Sequence, residues 1–412
     1  MLLIFFRSFY SRTLHGHKPT IRKLNILIAN FEIMKLETEY ANSGVRSFQY
    51  FFGLRNKGKA KNLLCDVIFR LISWGAIEML SLIPLMFWVL YPLSKHYMSS
   101  FLIIMVTGQL IKDIIQLPRP SKQFVVKKEL SWETEPGFPS THVMSAVLPF
   151  SVLLDAYRQD MNISTYLWCI SITWTVLCGC SRVYMGAHFI MDVVGGLFIA
   201  FTISILWYLY GNKYDSFMYD KPSGILFAPA VAILFLRHYP RATPWTASFG
   251  TVAIVVGTWM GVSTAMVCAE IAHATSPGSY MDTRPLLLSS SLQIMSYFFG
   301  LEINNYSGIG SNEVDGVVRS SILRIVVGLA VVIVVAQTSK TIVSSLLCML
   351  GDKVGMVTFI KSQKQDVDTQ GQLVPLRKAY MIEVPCKLIT YASLAWTTIV
   401  VVPNIWLYFG II

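Results

Sequence analysis

The sequence is poor in charged residues, which make up 14% of its 412 residues, whereas 54% are hydrophobic. Soluble domains usually carry about 25% charged residues. This shortage excludes an ordinary water-soluble globular protein. It indicates that lipid is the solvent for most of the chain.

Acidic residues are particularly scarce, with 23 against 34 basic ones, and none precedes Glu32. The resulting net charge of +11 could indicate nucleic-acid binding. However, much of the excess lies in the first 61 residues and in loops between apolar runs. That distribution suits an anionic membrane surface better than nucleic acid, so we expect the membrane as a partner and no nucleic acid.

Paired cysteines with CxxC spacing are missing, which excludes the usual zinc and redox motifs. The seven cysteines are interpreted as small hydrophobic residues within apolar stretches. They are Cys65, Cys169, Cys178, Cys180, Cys268, Cys348 and Cys386. Carboxylates with the spacing of divalent-metal ligands are also missing. We therefore expect no metal and no cofactor.

The N-terminus has too short an apolar run before Arg7 for the core of a signal peptide, so secretory cleavage is not expected. The arginines and serines that follow have a weak transit-peptide composition, which leaves mitochondrial import as an alternative. The favoured interpretation is a basic, partly amphipathic arm over residues 1–66 that lies on lipid headgroups. Residues 47–53, SFQYFFG, would add aromatic contact there.

Nine or ten apolar runs follow, most of them close to the roughly 20 residues that a membrane-spanning helix needs. They lie near 67–93, 98–117, 141–157, 165–184, 189–210, 223–236, 246–270, 286–300, 321–349 and 388–411. Backbone polar groups in lipid must be satisfied within each segment, so the runs predict helices. The predicted fold is an all-α, polytopic integral membrane protein. Residues 67–211 form its core helices, and residues 212–412 add further helices and a polar loop near 352–386.

Lys112 and Arg119, followed by Pro120, lie at the end of the second run. Their seven-residue spacing is close to two helical turns and would place both cations on one face, where they can bind one anion. Ordinary anchoring at the membrane interface is the alternative.

Pro139, Ser140, Thr141 and His142 directly precede or begin the third run. Ser140 is placed as an N-cap, and the first N–H groups of that helix would form an anion pocket. His142 could donate a proton to a leaving oxygen. The alternative is a capped helix with a surface histidine.

Ser181, Arg182, His188 and Asp192 span the turn between the fourth and fifth runs. His188 and Asp192 are four residues apart, so the carboxylate can hold one ring nitrogen and leave the other free as a nucleophile or base. A structural ion pair at a helix start is the alternative. Because successive helices alternate in direction, all three clusters would meet on one side of the bilayer. Together they predict a phosphate pocket with an acid and a nucleophile.

These residues resemble the three motifs of the type 2 phosphatidic acid phosphatase superfamily. The segments are K-x6-RP (112–120), PSTH (139–142) and SR-x5-H-x3-D (181–192). Thr141 departs from the glycine that is common at its position, and its side chain would narrow the pocket. The segments KDIIQLPRP, PSTHVMSAV and EVPCKLITYASLAW are similar to the sphingosine-1-phosphate phosphatase branch. The resemblance extends from about residue 65 to the end.

The resemblance implies a helical, metal-independent phosphatase in which five residues hold the phosphate: Lys112, Arg119, Ser140, Thr141 and Arg182. It also implies that His188 attacks phosphorus, that Asp192 orients His188, and that His142 protonates the leaving alkoxide and then activates water. The implied substrate is a sphingoid base phosphate such as sphingosine 1-phosphate.

Other interpretations remain open. The chain could hydrolyse phosphatidate or a polyisoprenyl phosphate, or it could be a transporter or a catalytically silent scaffold. Vanadate-dependent haloperoxidases share the pocket motifs but not so apolar a composition.

The resemblance implies the endoplasmic reticulum membrane, with the site facing the lumen. The basic arm instead favours a cytosolic site by the positive-inside rule. A glycosylation sequon at Asn305, in a predicted loop over 301–320, favours the lumen. A second sequon at Asn162 lies too close to the membrane to be modified.

Overall fold

The protein is described by a computed structural model covering residues 42–52, 54, 63–77, 88, 93–128, 135–158, 164–219, 221–240, 248–276, 311–353, 366–367, 373–374 and 383–411. Within these residues the regular secondary structure is helical apart from one short ribbon, which confirms the predicted fold class. The helices are α1 (Leu63–Ile77), α2 (Leu93–Ile115), α3 (Thr141–Ala146), α4 (Leu148–Arg158), α5 (Thr165–Tyr184), α6 (Ile190–Tyr219), α7 (Gly224–His238), α8 (Ser248–Thr275), α9 (Ser311–Lys353), α10 (Val384–Trp396) and α11 (Val402–Tyr408). A π-helical turn, Thr397–Val401, joins α10 to α11.

Five helical segments among the described residues are long and apolar enough to cross a membrane, the last of them formed by α10, the π-helical turn and α11 together. These spans are Met98–Ile115, Ile190–Tyr219, Ser248–Thr275, Ile322–Leu347 and Val384–Tyr408. The chain is therefore a multi-pass membrane protein. The predicted run at 286–300 lies outside the described residues, so the total of nine or ten helices stays a prediction.

The third apolar run is two helices and not the single helix that the sequence predicts. The α-helical hydrogen-bond pattern is interrupted at Val147, a turn residue between α3 and α4 whose N–H bonds Met144 O instead. Pro149 lacks the N–H that would bond the carbonyl of Ser145 in a continuous helix. The histidine-bearing α3 is consequently a separate short helix of six residues.

Two loops also differ from the prediction. Helix α9 begins at Ser311, so residues 311–320 are helical where a loop over 301–320 is predicted. Within the polar segment 352–386, β1 (Asp366–Val367) pairs antiparallel with β2 (Leu373–Val374). Strands this short carry no periodic pattern that a sequence could reveal.

Helices α8 and α10 pack closely through small residues. A Cβ added at Gly257 or Gly261 would collide with the carbonyl of Leu388 or of Ala392 on α10. Such close backbone approach is typical of helix pairs in membranes. Helix α2 packs on both α8 and α6. It therefore connects the pair α8 and α10 to the helices that carry the motifs.

Residues 42–51 form a helical segment that packs on the core. The amide of Gln49 donates to the carbonyls of Val126 and Tyr184, at 2.7 and 2.9 Å. Phe52 stacks edge-on against Phe69 of α1. This end of the predicted surface arm is thus built into the protein, although Phe51 remains 83% exposed.

Candidate active site

Lys112 and Arg119 converge through a turn and not along one helix face. Helix α2 ends at Ile115, and Gln116 adopts a left-handed conformation with φ of 53°. The chain therefore leaves the helix before Arg119. The side chain of Lys112, only 1% exposed, and that of Arg119, 7% exposed, both contact Glu135.

Glu135 is a site residue that the sequence analysis missed. Its Oε2 atom lies 3.3 Å from Lys112 Nζ and 3.9 Å from Arg119 Nη2. Its backbone carbonyl accepts a hydrogen bond from Arg119 Nε at 2.7 Å. The sequence gives only a weak signal for it, an acidic segment ahead of the second motif where three collected cations require a counter-charge.

Ser140 lies at the predicted N-cap position, but its side chain does not make the predicted capping hydrogen bond. Ser140 is the N-cap residue of α3, yet its side chain makes no capping bond. Its hydroxyl is buried, and no described residue bonds it. Its backbone N–H instead donates to the carbonyl of Asp192 at 3.1 Å, which joins the second and third motifs.

Thr141 contacts the lysine of the first motif. Lys112 Nζ donates to Thr141 Oγ1 at 3.2 Å. Helices α2 and α3 pack closely at this point, since a Cβ added at Gly108 of α2 would lie 2.9 Å from Thr141 Cγ2. Thr141 is followed by His142, which is half-buried in the first turn of α3.

His188 is fully buried between Arg119 and Asp192. Arg119 Nη1 lies 3.3 Å from His188 Nε2, and Asp192 Oδ2 lies 3.5 Å from His188 Nδ1. A guanidinium can only donate, so Nε2 must be the acceptor and the ring proton must reside on Nδ1, facing the carboxylate. Burial, with Arg119 and Arg182 next in effect, lowers the pKa of His188 well below its ordinary value. The ring is thus neutral at neutral pH and has a lone pair on Nε2.

Asp192 is fixed by the start of α6. Its Oδ2 accepts the backbone N–H of Phe189 at 2.9 Å. This bond holds the carboxylate beside the histidine, and the negative charge is favourable at a helix N-terminus.

Arg182 reaches the same region from the last turn of α5 and is fully buried. Its Nη1 donates to the hydroxyl of Ser73 on α1. Its neighbour Ser181 bonds the carbonyl of Cys178 at 2.7 Å. Ser73 is therefore a second site residue that motif spacing did not reveal.

Gly137 allows the three motifs to approach one another. Its N–H donates to Leu117 O at 2.7 Å. An added Cβ would lie 2.8 Å from Pro118 O and 3.1 Å from Asp192 Oδ2. A larger residue would separate the first motif from the third.

The arrangement places three cations, a neutral histidine with its carboxylate, and a second histidine within one buried region. Cations and hydroxyls of this kind bind a phosphate and stabilise charge as it develops. Among the described residues, no group of three His, Cys, Asp or Glu side chains could hold a metal ion.

Comparisons with known proteins show which sequences the chain is similar to. Residues 95–216 match the PAP2 superfamily. The chain is 26% identical to sphingosine-1-phosphate phosphatase 1 of Rattus norvegicus over 80% of this chain and 68% of the relative. It is 24% identical to lipid phosphate phosphatase delta of Arabidopsis thaliana, over 79% and 78% of the two chains. It is 30% identical to a probable sphingosine-1-phosphate phosphatase of Dictyostelium discoideum, over 45% and 47%. No solved structure matches.

Proposed function

We propose that the chain, which matches the PAP2 superfamily over residues 95–216, is a membrane phosphatase that hydrolyses sphingoid base phosphates to the free base and phosphate. The observation that carries the proposal is the buried triad in which Arg119 donates to His188 Nε2 while Asp192 lies at Nδ1. The nucleophilic nitrogen and a phosphate-binding cation thus lie within hydrogen-bond distance of each other.

In the first step His188 Nε2 attacks phosphorus, and the bond between phosphorus and the alkoxide breaks. Arg119 must transfer its hydrogen bond from Nε2 to a phosphate oxygen, which frees the lone pair for attack. Asp192 stabilises the positive charge that develops on the ring. Lys112, Arg119, Arg182, Ser140 and Thr141 hold the phosphoryl oxygens.

His142 completes the reaction as acid and then base. It gives a proton to the departing alkoxide, which becomes the free alcohol of the base. It then takes a proton from a water that attacks the phosphohistidine, which releases phosphate and restores His188. Charge is neutralised by the chain's own cations, so no metal is required.

The substrate class is inferred from the relatives and from the C-terminal likeness. Two of the three relatives described above are named for sphingosine 1-phosphate, and one for lipid phosphates in general. Phosphatidate and polyisoprenyl phosphates are the competing substrates.

Purified protein assayed against a panel of lipid phosphates tests the proposal. We expect phosphate release to be fastest with sphinganine 1-phosphate and sphingosine 1-phosphate, and we expect inhibition by vanadate, which mimics the phosphoryl transition state. Faster hydrolysis of phosphatidate would change the substrate class. Absence of hydrolysis with every lipid would favour a transporter or a silent scaffold.

We place the enzyme in the endoplasmic reticulum membrane with its site toward the lumen. The sequon at Asn305 supports this placement, although it lies outside the described residues. A glycosidase-sensitive mass shift that disappears in Asn305→Gln would support a luminal site. Glycan found only at Asn162 would reverse the orientation.

A further inference from the structure

The carboxylate of Glu135 has one oxygen engaged and one oxygen available. The side chain is 3% exposed, and Oε2 faces the cations of Lys112 and Arg119. The other oxygen, Oε1, is buried and accepts no hydrogen bond from any residue that the structure describes. A buried carboxylate oxygen without a donor is unfavourable, so it is a candidate for a ligand's donor.

Glu135 balances the charge of Lys112 and Arg119 in the free enzyme, but this role does not explain its presence once substrate is bound. A phosphate monoester brings a charge of about −1.5 to −2 to the same cations. The phosphate and the carboxylate would then repel each other within one buried region. A positive charge carried by the substrate itself would remove that repulsion.

We propose that Glu135 Oε1 accepts a hydrogen bond from the ammonium group of a sphingoid base phosphate and so determines the specificity of the enzyme. This inference rests on the proposed function. In these substrates the ammonium is on the carbon next to the one that bears the phosphate ester. A carboxylate that already touches two phosphate-binding cations is therefore within reach of it.

The other carboxylate of the site is committed elsewhere. Asp192 Oδ2 accepts the N–H of Phe189 and lies beside His188 Nδ1. An ammonium has three donors and requires a charged acceptor when it is removed from water. Phosphatidate and polyisoprenyl phosphates have no ammonium next to the phosphate. They would leave Glu135 facing the phosphate without compensation.

The test compares two substrates on each of several variants. One substrate is sphinganine 1-phosphate, and the other is its analogue in which a hydroxyl replaces the ammonium. For wild type we expect kcat/KM to favour the amine at least tenfold. In Glu135→Gln this preference should fall by about tenfold to a hundredfold, the loss typical of a charged hydrogen bond. Glu135→Asp keeps the charge at shorter reach and should retain part of the preference.

Asp66→Asn is the matched control. Asp66 is another buried carboxylate in ion pairs, with Lys128 at 3.0 Å and Arg70 at 3.1 Å. Its loss should leave the ratio between the two substrates unchanged, whatever it does to stability. The ratio is the decisive quantity because a merely structural role for Glu135 would lower both rates together.

The outcomes distinguish a failure of the proposed function from a failure of the role of Glu135. If wild type hydrolyses neither substrate, the proposed function fails and this inference fails with it. If wild type hydrolyses both equally well, the phosphatase stands and the role of Glu135 is overturned. A full amine preference in Glu135→Gln overturns it as well. Should Glu135→Gln be inactive on both substrates, an amine preference lower in Glu135→Asp than in wild type supports the role, and an unchanged preference overturns it.

Discussion

The hydroxyl of Thr141 accepts a hydrogen bond from the ammonium of Lys112 across 3.2 Å. A glycine at this position, as is common in the motif that PSTH resembles, could not make that bond. The threonine therefore does more than narrow the pocket. It fixes the direction in which a fully buried lysine points.

We expect Thr141→Val, which keeps the shape but removes the acceptor, to lower kcat/KM about tenfold, since hydrogen bonds to charged groups contribute about 1.5–3 kcal/mol. Thr141→Ser retains the hydroxyl and should stay within about threefold of wild type. Phosphate release from sphinganine 1-phosphate measures both. Activity of Thr141→Val within about threefold of wild type would show that the hydrogen bond does not matter.

Substitutions of the two histidines should have different effects in an experiment that traps the phosphoenzyme. His188→Ala should abolish both turnover and label transfer, because no nucleophile remains. His142→Ala should be slowed far less on an aryl phosphate than on a lipid phosphate, because a phenolate leaves without needing a proton. It should also accumulate phosphoenzyme.

Labelled substrate with a rapid quench that avoids acid measures these effects in wild type and both variants. Label trapped on His188→Ala would remove His188 as the nucleophile. Equal losses on the two substrates in His142→Ala would remove His142 as the acid that protonates the leaving group.

Arg182→Lys keeps the charge but loses the planar fork that can bond two oxygens. We expect kcat to fall by about a hundredfold, because such a clamp acts on transition-state charge. Ser73→Ala removes only the hydroxyl that accepts a hydrogen bond from Arg182 Nη1 and should lower kcat by less. Steady-state kinetics of both variants measure these losses. Activity of Arg182→Lys within twofold of wild type would mean that Arg182 has a structural role.

Gly137→Ala should destabilise the protein by about 1–3 kcal/mol through overpacking, because its Cβ would press on Pro118 O and Asp192 Oδ2. Gly44→Ala is the matched control, since its Cβ would meet only Ile190 Cδ1 at an ordinary 3.6 Å. Thermal unfolding in detergent compares the two. Similar midpoints would mean that the loop before α3 moves aside without loss.

Hydrolysis should persist in excess EDTA, because the proposed site supplies its own cations. Activity measured before and after chelation checks this. Loss that magnesium restores would require metal ligands outside the described residues.

Helix positions could be predicted from sequence because long apolar runs in lipid leave the backbone no other arrangement. Runs near 165–184 and 246–270 correspond to α5 (Thr165–Tyr184) and α8 (Ser248–Thr275). The break at Val147 was missed because a proline at the start of a helix is well tolerated and gives no clear warning.

The site residues that motif spacing revealed lie at helix ends or in the loops beside them. The alternating direction of successive helices decides on which side of the membrane these ends lie. Glu135 and Ser73 of the site, and Gln49 of the helical segment over 42–51, give no such signal, because each acts through a contact with a distant part of the chain. Gln49, for example, bonds carbonyls 77 and 135 residues away. Such contacts depend on tertiary packing and leave no periodic pattern.

The long helix α6 begins next to His188, and its first apolar stretch, residues 190–210, spans about 30 Å at 1.5 Å per residue. Met191, Val194 and Phe198 of this stretch are at least half exposed and would face acyl chains. We therefore expect the proposed phosphate site to lie at headgroup depth, so that a lipid substrate could keep its tail in the bilayer during the reaction. Turnover should accordingly follow the mole fraction of substrate within the membrane plane and not its bulk concentration, so that adding inert lipid at constant total substrate slows the enzyme.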